Sequence, residues 1–278
     1  MAAARGPIPF SAARRLYGMQ TSNLQIAVSR DRTRIAFDRT GDGPPIILVV
    51  GAFNERSRGA PLAEVLASRF SVFNYDRRGR GASDDTAPYA IEREVDDLAA
   101  LIAEAGGSAA VFGYSSGALL ALKAAERGLP ITRLAVYDPP FNVVNSRVDH
   151  VARLVDMIAA GRRGDAVEYF QTELVGIPPQ VVAQFRHAPF RPALEAIAHT
   201  LVYDAAIVTD PLLATDLGLV AVPTLVMAGD KGPDVLRAAA QTVSEAVACA
   251  RLHTLDGQTH DIDPTVTGAV LEEFFGGS

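Results

Sequence analysis

The stretch Gly113-Tyr114-Ser115-Ser116-Gly117 sets a serine between two glycines in a G-x-S-x-G spacing. An apolar run, Ala109-Ala110-Val111-Phe112, precedes it, and Ala118-Leu119-Leu120-Ala121-Leu122 follows with helical character. That context predicts a sharp strand-to-helix turn, with glycine where a side chain would collide with neighbouring backbone. Such a turn lifts the Ser115 hydroxyl above a sheet, at a helix N-terminus that favours developing negative charge. The chemistry it would serve is nucleophilic attack by Ser115. The competing reading is structural: Ser115 and Ser116 are good helix caps, and glycine suits any tight turn. A serine hydroxyl is a weak nucleophile until a base takes its proton. Five histidines are available: His150, His187, His199, His253 and His260. No H-E-x-x-H, Cys/His cluster or acidic metal cage occurs, so neither a metal nor another cofactor is expected.

The elements that must position these residues follow from the hydrophobic pattern. Short apolar runs alternate with amphipathic stretches in two blocks, which argues for an α/β fold with a mostly parallel sheet. Leu24 to Val28 and Arg34 to Phe37 alternate on either side of Arg30-Asp31-Arg32, and read as an antiparallel hairpin at a sheet edge. Ile46 to Val50, Ser71 to Tyr75, Ala109 to Tyr114 and Arg133 to Tyr137 are nearly all apolar, as strands buried on both faces must be. Helices are expected between them, over about Ala60 to Ser68, Glu92 to Ala105 and Ser116 to Arg127. After Pro139-Pro140 the strand signal stops. Helices are expected over Val148 to Ala160, Asp165 to Leu174, Pro179 to Arg186 and Pro192 to Ile207, punctuated by glycine and proline. Strands resume with Thr224 to Ala228 and Ala250 to Leu255, around a helix from about Pro233 to Ala248. A last helix is expected from Pro264 to Phe275. The expected division is an α/β core over 1–140 and 220–278, interrupted by a helical insert over 141–219.

Composition narrows the function classes. The chain has 278 residues, 49% hydrophobic and 21% charged, which is globular composition. Its 26 basic and 32 acidic residues leave a net charge of -6, with no electrostatic footprint for nucleic acid. The single cysteine, Cys249, excludes an internal disulfide framework and a CxxC-type zinc site. No apolar run approaches the roughly 18 residues needed to span a bilayer. The opening stretch, Met1 to Ser22, carries Arg5, Arg14 and Arg15 but no apolar run of a secretory leader. The expectation is a soluble cytoplasmic protein with no membrane partner. Lys123 and Lys231 are its two lysines, and this richness in Arg and Ala fits a GC-rich bacterial genome.

With the serine turn and a second motif together, the chain resembles the α/β-hydrolase fold family from about Leu24 onward. The second motif is Asp76-Arg77-Arg78-Gly79-Arg80-Gly81-Ala82-Ser83, which matches that family's D-x-R-G-x-G-x-S loop after the fourth strand. Here Asp76 and Arg78 are expected to pin the loop rather than do chemistry. The resemblance implies an eight-stranded, mostly parallel twisted sheet flanked by helices, with a helical cap after the sixth strand. It also implies the chain order nucleophile, acid, histidine. Ser115 would be the nucleophile, and His260, in Gly257-Gln258-Thr259-His260, matches the family's G-x-x-H. The acid departs from the usual pattern. The family places it after the seventh strand as G-x-x-D, where this chain has Gly229-Asp230-Lys231-Gly232. A family variant draws the acid from the end of the sixth strand, here Tyr137-Asp138-Pro139-Pro140. Asp138 is therefore the implied acid, with Asp230 and Asp234 as alternatives; its structural reading is a turn before Pro139. The implied oxyanion hole uses the backbone N–H groups of Ser116 and Ala52. Ala52 lies in Val50-Gly51-Ala52-Phe53, where the family often has His-Gly. Phe53, Phe141 and His199 are expected to contact substrate. Arg162, Arg163 and Arg186 read as solvated helix faces rather than as an acid-binding cluster.

What the resemblance implies is a serine hydrolase acting through an acyl-enzyme on an ester, thioester or lactone of a small to medium apolar molecule. The same triad also supports C–C hydrolysis or lyase chemistry. A third reading is a non-catalytic ligand-binding member, which the glycine at position 232 favours. Dehalogenase and epoxide hydrolase chemistry is disfavoured, because those relatives carry Asp where this chain has Ser115. The expected partner is a small-molecule substrate, and the expected state is a monomer or homodimer.

Overall fold

The structure, a computed structural model, describes residues 24–144, 147–210 and 217–277. The stretch Met1 to Ser22 discussed above lies outside the described residues. Strands β1 (Leu24–Val28) and β2 (Arg34–Thr40) form the antiparallel edge hairpin. Asp31 Oδ1 accepts from the Thr33 N–H in its turn. Then follow β3 (Pro45–Val49), α1 (Arg56–Leu66), β4 (Ser71–Tyr75), α2 (Ile91–Glu104), β5 (Ala109–Tyr114), α3 (Ser116–Glu126) and β6 (Ile131–Tyr137). All eight strands lie in one sheet, in the order β1-β2-β4-β3-β5-β6, continued by β7 (Thr224–Gly229) and β8 (Ala250–Leu255). From β4 to β8 every pairing is parallel.

The inner strands bury both faces, and their period of two divides the core. Ile47, Val49, Val111, Leu134 and Val136 face one layer, closed by α2, α3 and α9 (Asp234–Ala246). Ile46, Leu48, Phe112, Ala135 and Tyr137 face the other, closed by α1 and α10 (Pro264–Gly276). Between β3 and β5 the winding direction reverses, since β4 lies on one side of β3 and β5 on the other. Crevices at the carboxyl ends of strands beside such a reversal are where open α/β sheets bind ligands.

Between β6 and β7 the chain leaves the sheet for a set of short helices with a core of their own. They are α4 (His150–Ala159), α5 (Arg163–Tyr169), α6 (Pro179–Gln184), α7 (Arg191–Ala196) and α8 (Leu201–Val208). Leu154, Ala166, Val167, Phe170, Leu201 and Ala205 pack together there. Three boundaries differ from expectation. Helix α1 begins at Arg56 and carries Pro61 inside it, at the cost of one backbone hydrogen bond that the missing N–H would have made. The stretch Asp165 to Leu174 is not one α-helix: α5 widens into a π-turn over Phe170–Leu174. The helix expected over Pro192 to Ile207 breaks into α7, a 3₁₀ turn over Ala198–Thr200, and α8. Thr200 makes that break, its hydroxyl bonding back to the Ile197 carbonyl at 2.8 Å. Among the described residues, no helix is long and apolar enough to cross a membrane.

Candidate active site

Three neighbouring parallel strands leave the sheet through a residue with positive φ that is not glycine. They are Phe53 after β3 (φ 63°), Ser115 after β5 (φ 54°) and Asp138 after β6 (φ 45°). Such conformations cost free energy and gather where function needs a side chain presented in one direction. At Ser115 the glycines make the turn feasible. A Cβ on Gly117 would stand 2.3 Å from the Val49 carbonyl oxygen, and one on Gly113 would stand 2.7 Å from Ala118 Cα. Gly51 packs against the serine itself, for a Cβ there would lie 2.8 Å from Ser115 Cβ. The loop after β3 and the turn after β5 are thus in direct contact.

His260 is brought back over this turn by the loop after β8. Two strand-end tyrosines hold that loop from beneath: Tyr114 Oη donates to the His260 carbonyl at 3.0 Å, and Tyr137 Oη to the Thr259 carbonyl at 2.6 Å. The Lys231 N–H donates to the Gln258 carbonyl at 2.8 Å. The imidazole Nδ1 then sits 2.9 Å from Asp138 Oδ2. Asp138 is fully buried and the ring is one-third exposed. A carboxylate on Nδ1 fixes the tautomer with Nε2 unprotonated and steadies the imidazolium once a proton arrives. Among the described residues no hydrogen bond joins Ser115 Oγ to the ring, although both line one cavity. Contacts of this kind tighten when substrate binds.

The two alternative acids point elsewhere. Asp230 pairs with Lys231 at 3.2 Å, and Asp234 is exposed and pairs with Arg237. Gly232 lies beside the His260–Asp138 pair, where a Cβ would stand 3.7 Å from Asp138 Oδ2. The usual acid position and Asp138 thus converge on one small volume, and glycine at 232 leaves that volume to the Asp138 carboxylate.

The cavity has a volume of about 340 Å³ and is lined by Ala52, Ser115, Ser116 and His260 on the sheet side. Phe53, Val143, Phe170, Leu174, Ile177 and Leu236 form much of its apolar wall. Phe53 meets Phe170 edge to face, with ring centroids 5.3 Å apart. The N–H groups of Ala52 and Ser116 have no partner among the described residues. No lysine or arginine lines the cavity among the described residues; Glu173, His260 and the Tyr114 phenol are its ionisable groups.

Two expected substrate contacts are not in this cavity. Phe141 is buried in the sheet-side core, since the tight turn from Pro139, whose carbonyl accepts from the Phe141 N–H at 2.8 Å, directs the chain inward. His199 packs outside the cavity beside Asp85, 3.7 Å away, and edge-on to Tyr203. Burial pushes its imidazole below the ordinary histidine range. Arg186 forms a two-pronged pair with Glu168, at 2.8 and 2.7 Å. Among the described residues no cluster suited to a metal ion occurs.

The second motif does more than pin a loop. Asp76 accepts from the Ala82 N–H at 2.9 Å and pairs with Arg56. Arg78 forks onto Asp97 with two bonds of 2.7 Å. Arg77 forks onto Glu94 in the same way and reaches Asp204 on α8 at 2.8 Å. Arg80 reaches the other oxygen of Asp204 at 2.5 Å. All four of Arg77, Arg80, Glu94 and Asp204 are buried. Burial alone would raise the Asp204 carboxyl, but Arg80 and Arg77 outweigh it and hold the group below the usual carboxylate range. Sequence reading missed Asp204 and Glu94: nothing local marks Asp204, 124 residues from Arg80, and Glu94 reads as an ordinary acidic residue in the first turn of α2.

Comparison with known proteins bears on the fold. The model of the alpha/beta hydrolase family matches residues 46–270. A crystal structure of an alpha/beta hydrolase from Sphaerobacter thermophilus is 52% identical, with 90% of this chain and all of that chain covered and a TM-score of 0.83. The enol-lactonase from Burkholderia xenovorans, 24% identical over 91% of this chain and 98% of that chain, shares the fold with a TM-score of 0.67. N-formylmaleamate deformylase of Pseudomonas putida is 29% identical over 163 residues, 55% of this chain. The aligned stretch spans 61% of that enzyme's length.

Proposed function

The chain belongs to the alpha/beta hydrolase family, and on that premise we propose that it is a serine hydrolase that opens an ester, thioester or lactone of a small to medium, uncharged, largely apolar molecule. The observation that carries the proposal is the 2.9 Å pair between His260 Nδ1 and buried Asp138, set over a cavity that Ser115 also lines. Ser115 Oγ attacks the carbonyl carbon while His260 Nε2 takes its proton. Asp138 keeps Nδ1 protonated and stabilises the imidazolium. The oxyanion of the tetrahedral intermediate is held by the Ala52 and Ser116 N–H groups. The intermediate collapses, His260 returns the proton to the leaving alcohol or thiol, and the acyl group stays on Ser115. Water, deprotonated by His260, then attacks the acyl-enzyme, and as the Ser115 Oγ–acyl bond breaks His260 returns the proton to Oγ, releasing the acid and the free enzyme.

The charge of the substrate follows from the wall. An anionic group would enter an apolar cavity with no cation among the described lining residues and with Glu173 near it. An unpaired buried charge is costly. A matched ester pair, one ending in methyl and one in carboxylate, tests the reading. Wild type is expected to turn over the methyl ester with kcat/KM at least about tenfold higher, and Ser115→Ala is expected to hydrolyse neither. Carboxylate preference, or undiminished turnover by Ser115→Ala, contradicts it. Ketone and cyanohydrin substrates run in parallel would expose C–C cleavage or lyase chemistry.

A further inference from the structure

In this chain the oxyanion loop after β3 reads Val50-Gly51-Ala52-Phe53, with valine where the resembling family often has histidine. Something else must therefore fix the loop. Arg80, from the loop after β4, reaches it. Arg80 Nη1 donates to the Gly51 carbonyl at 2.8 Å and to the Asn54 carbonyl at 3.2 Å. Those carbonyls flank Ala52 and Phe53. The Gly51 carbonyl belongs to the same planar peptide unit as the Ala52 N–H, and in a trans unit the two point in opposite directions. A cation on the carbonyl thus fixes the direction of the N–H and strengthens it as a donor.

The guanidinium is itself fixed at its other prongs. Nη2 lies on Asp204, and Nε donates to the Thr200 hydroxyl at 3.1 Å. The Asp204 oxygen not used by Arg80 accepts from Ser116 Oγ at 2.8 Å as well as from Arg77. Ser116 carries the other expected oxyanion donor. One buried carboxylate from the insert therefore ties the loop after β3, through Arg80, to the first residue of α3. Within the four-residue cluster the two guanidiniums balance Glu94 and Asp204, so the tie adds no net charge beside the cavity.

We propose that Arg80, clamped by Asp204, is the positioning residue of the oxyanion hole, orienting the Ala52 N–H through the Gly51 carbonyl while Asp204 orients Ser116 through its hydroxyl. The proposal rests on the serine-hydrolase reading above. It makes the helical insert part of the catalytic machinery, because both ties end on α8.

Three variants test it: Arg80→Met removes the donors, Arg80→Lys keeps a cation, and Ser116→Ala cuts only the hydroxyl tie and retains the N–H. Each is assayed for kcat and KM on an activated ester, for inhibition by a trifluoromethyl ketone that forms a tetrahedral adduct, and for binding of the product acid's amide. Loss of one aligned donor costs about 10²–10³ in kcat. Arg80→Met is expected to lose about that much kcat, with KM within about threefold and ketone affinity falling in step. Amide binding should hold. Arg80→Lys should recover much of the loss, and Ser116→Ala should lose about tenfold in kcat. Circular dichroism reports whether each variant is folded. Should Arg80→Met fail to fold, Ser116→Ala and Arg80→Lys decide. Wild-type kcat in Ser116→Ala or in folded Arg80→Met overturns the proposal, as does an equal loss of ketone and amide binding. An active wild type with unaffected variants defeats this inference alone. A wild type with neither turnover nor a reactive Ser115 defeats the hydrolase reading and this inference with it.

Discussion

Asp138 and Gly232 compete for the same few ångströms, and that competition explains how the acid can move along the chain without moving in space. An imidazole needs a carboxylate on Nδ1; it does not need a particular strand to supply it. At the residue scale the expectation is therefore asymmetric. Asp138→Asn should lower kcat by about 10³–10⁴, whereas Asp230→Asn and Asp234→Asn should stay close to wild type. Asp138→Gly combined with Gly232→Asp should recover part of the loss. Steady-state kinetics on one activated ester decides this, and near-wild-type activity in Asp138→Asn would refute the acid assignment. Ser115 and His260 were legible because each sits in a local motif next to a strand end. Asp138 was legible only beside its alternatives, since which carboxylate reaches the ring is settled by tertiary placement. Phe141 and His199 lie away from the cavity, and residue type alone does not say which side of a layer a ring faces. Tyr114 and Tyr137 gave no sequence signal beyond strand apolarity, yet their hydroxyls anchor the loop that carries His260.

At the scale of elements, the sheet was readable and the insert was only partly so. Parallel strands buried on both faces announce themselves as apolar runs, and each expected strand lies within a few residues of its observed bounds. The breaks inside the insert depend on contacts distant in sequence. The turn at Ala198–Thr200, which no propensity foretold, puts the Thr200 hydroxyl on Arg80 and Asp204 on both arginines. Removing Asp204 leaves guanidinium charge buried without its partner. Asp204→Ala should cost about 3–5 kcal/mol by urea unfolding at neutral pH. Its pH dependence has a definite sign. The Asp204 carboxyl titrates below its ordinary value in the folded chain. Its contribution is therefore complete above the ordinary carboxylate pKa and is lost as pH falls through the folded value. The gap in unfolding free energy between wild type and Asp204→Ala should hold from neutrality to about pH 4 and shrink below it. A gap that widens in acid would contradict the assignment of Asp204 as a buried, ionised partner.

For the whole molecule, a parallel sheet supplies three strand ends beside a reversal of winding, and the loops there deliver Ala52, Ser115 and Asp138. The loop after β8 adds His260, and the helices between β6 and β7 supply an apolar roof and, through α8, the carboxylate that locks the arginine loop. The central claim is that this assembly turns Ser115 into a nucleophile. The most direct test is intact-protein and peptide mass spectrometry after exposure to a fluorophosphonate probe, with wild type, Ser115→Ala and His260→Gln side by side. One adduct per chain is expected, mapped to the peptide holding Ser115, absent in Ser115→Ala and strongly slowed in His260→Gln. Labelling that persists in Ser115→Ala, or that maps to another residue in wild type, would contradict the account.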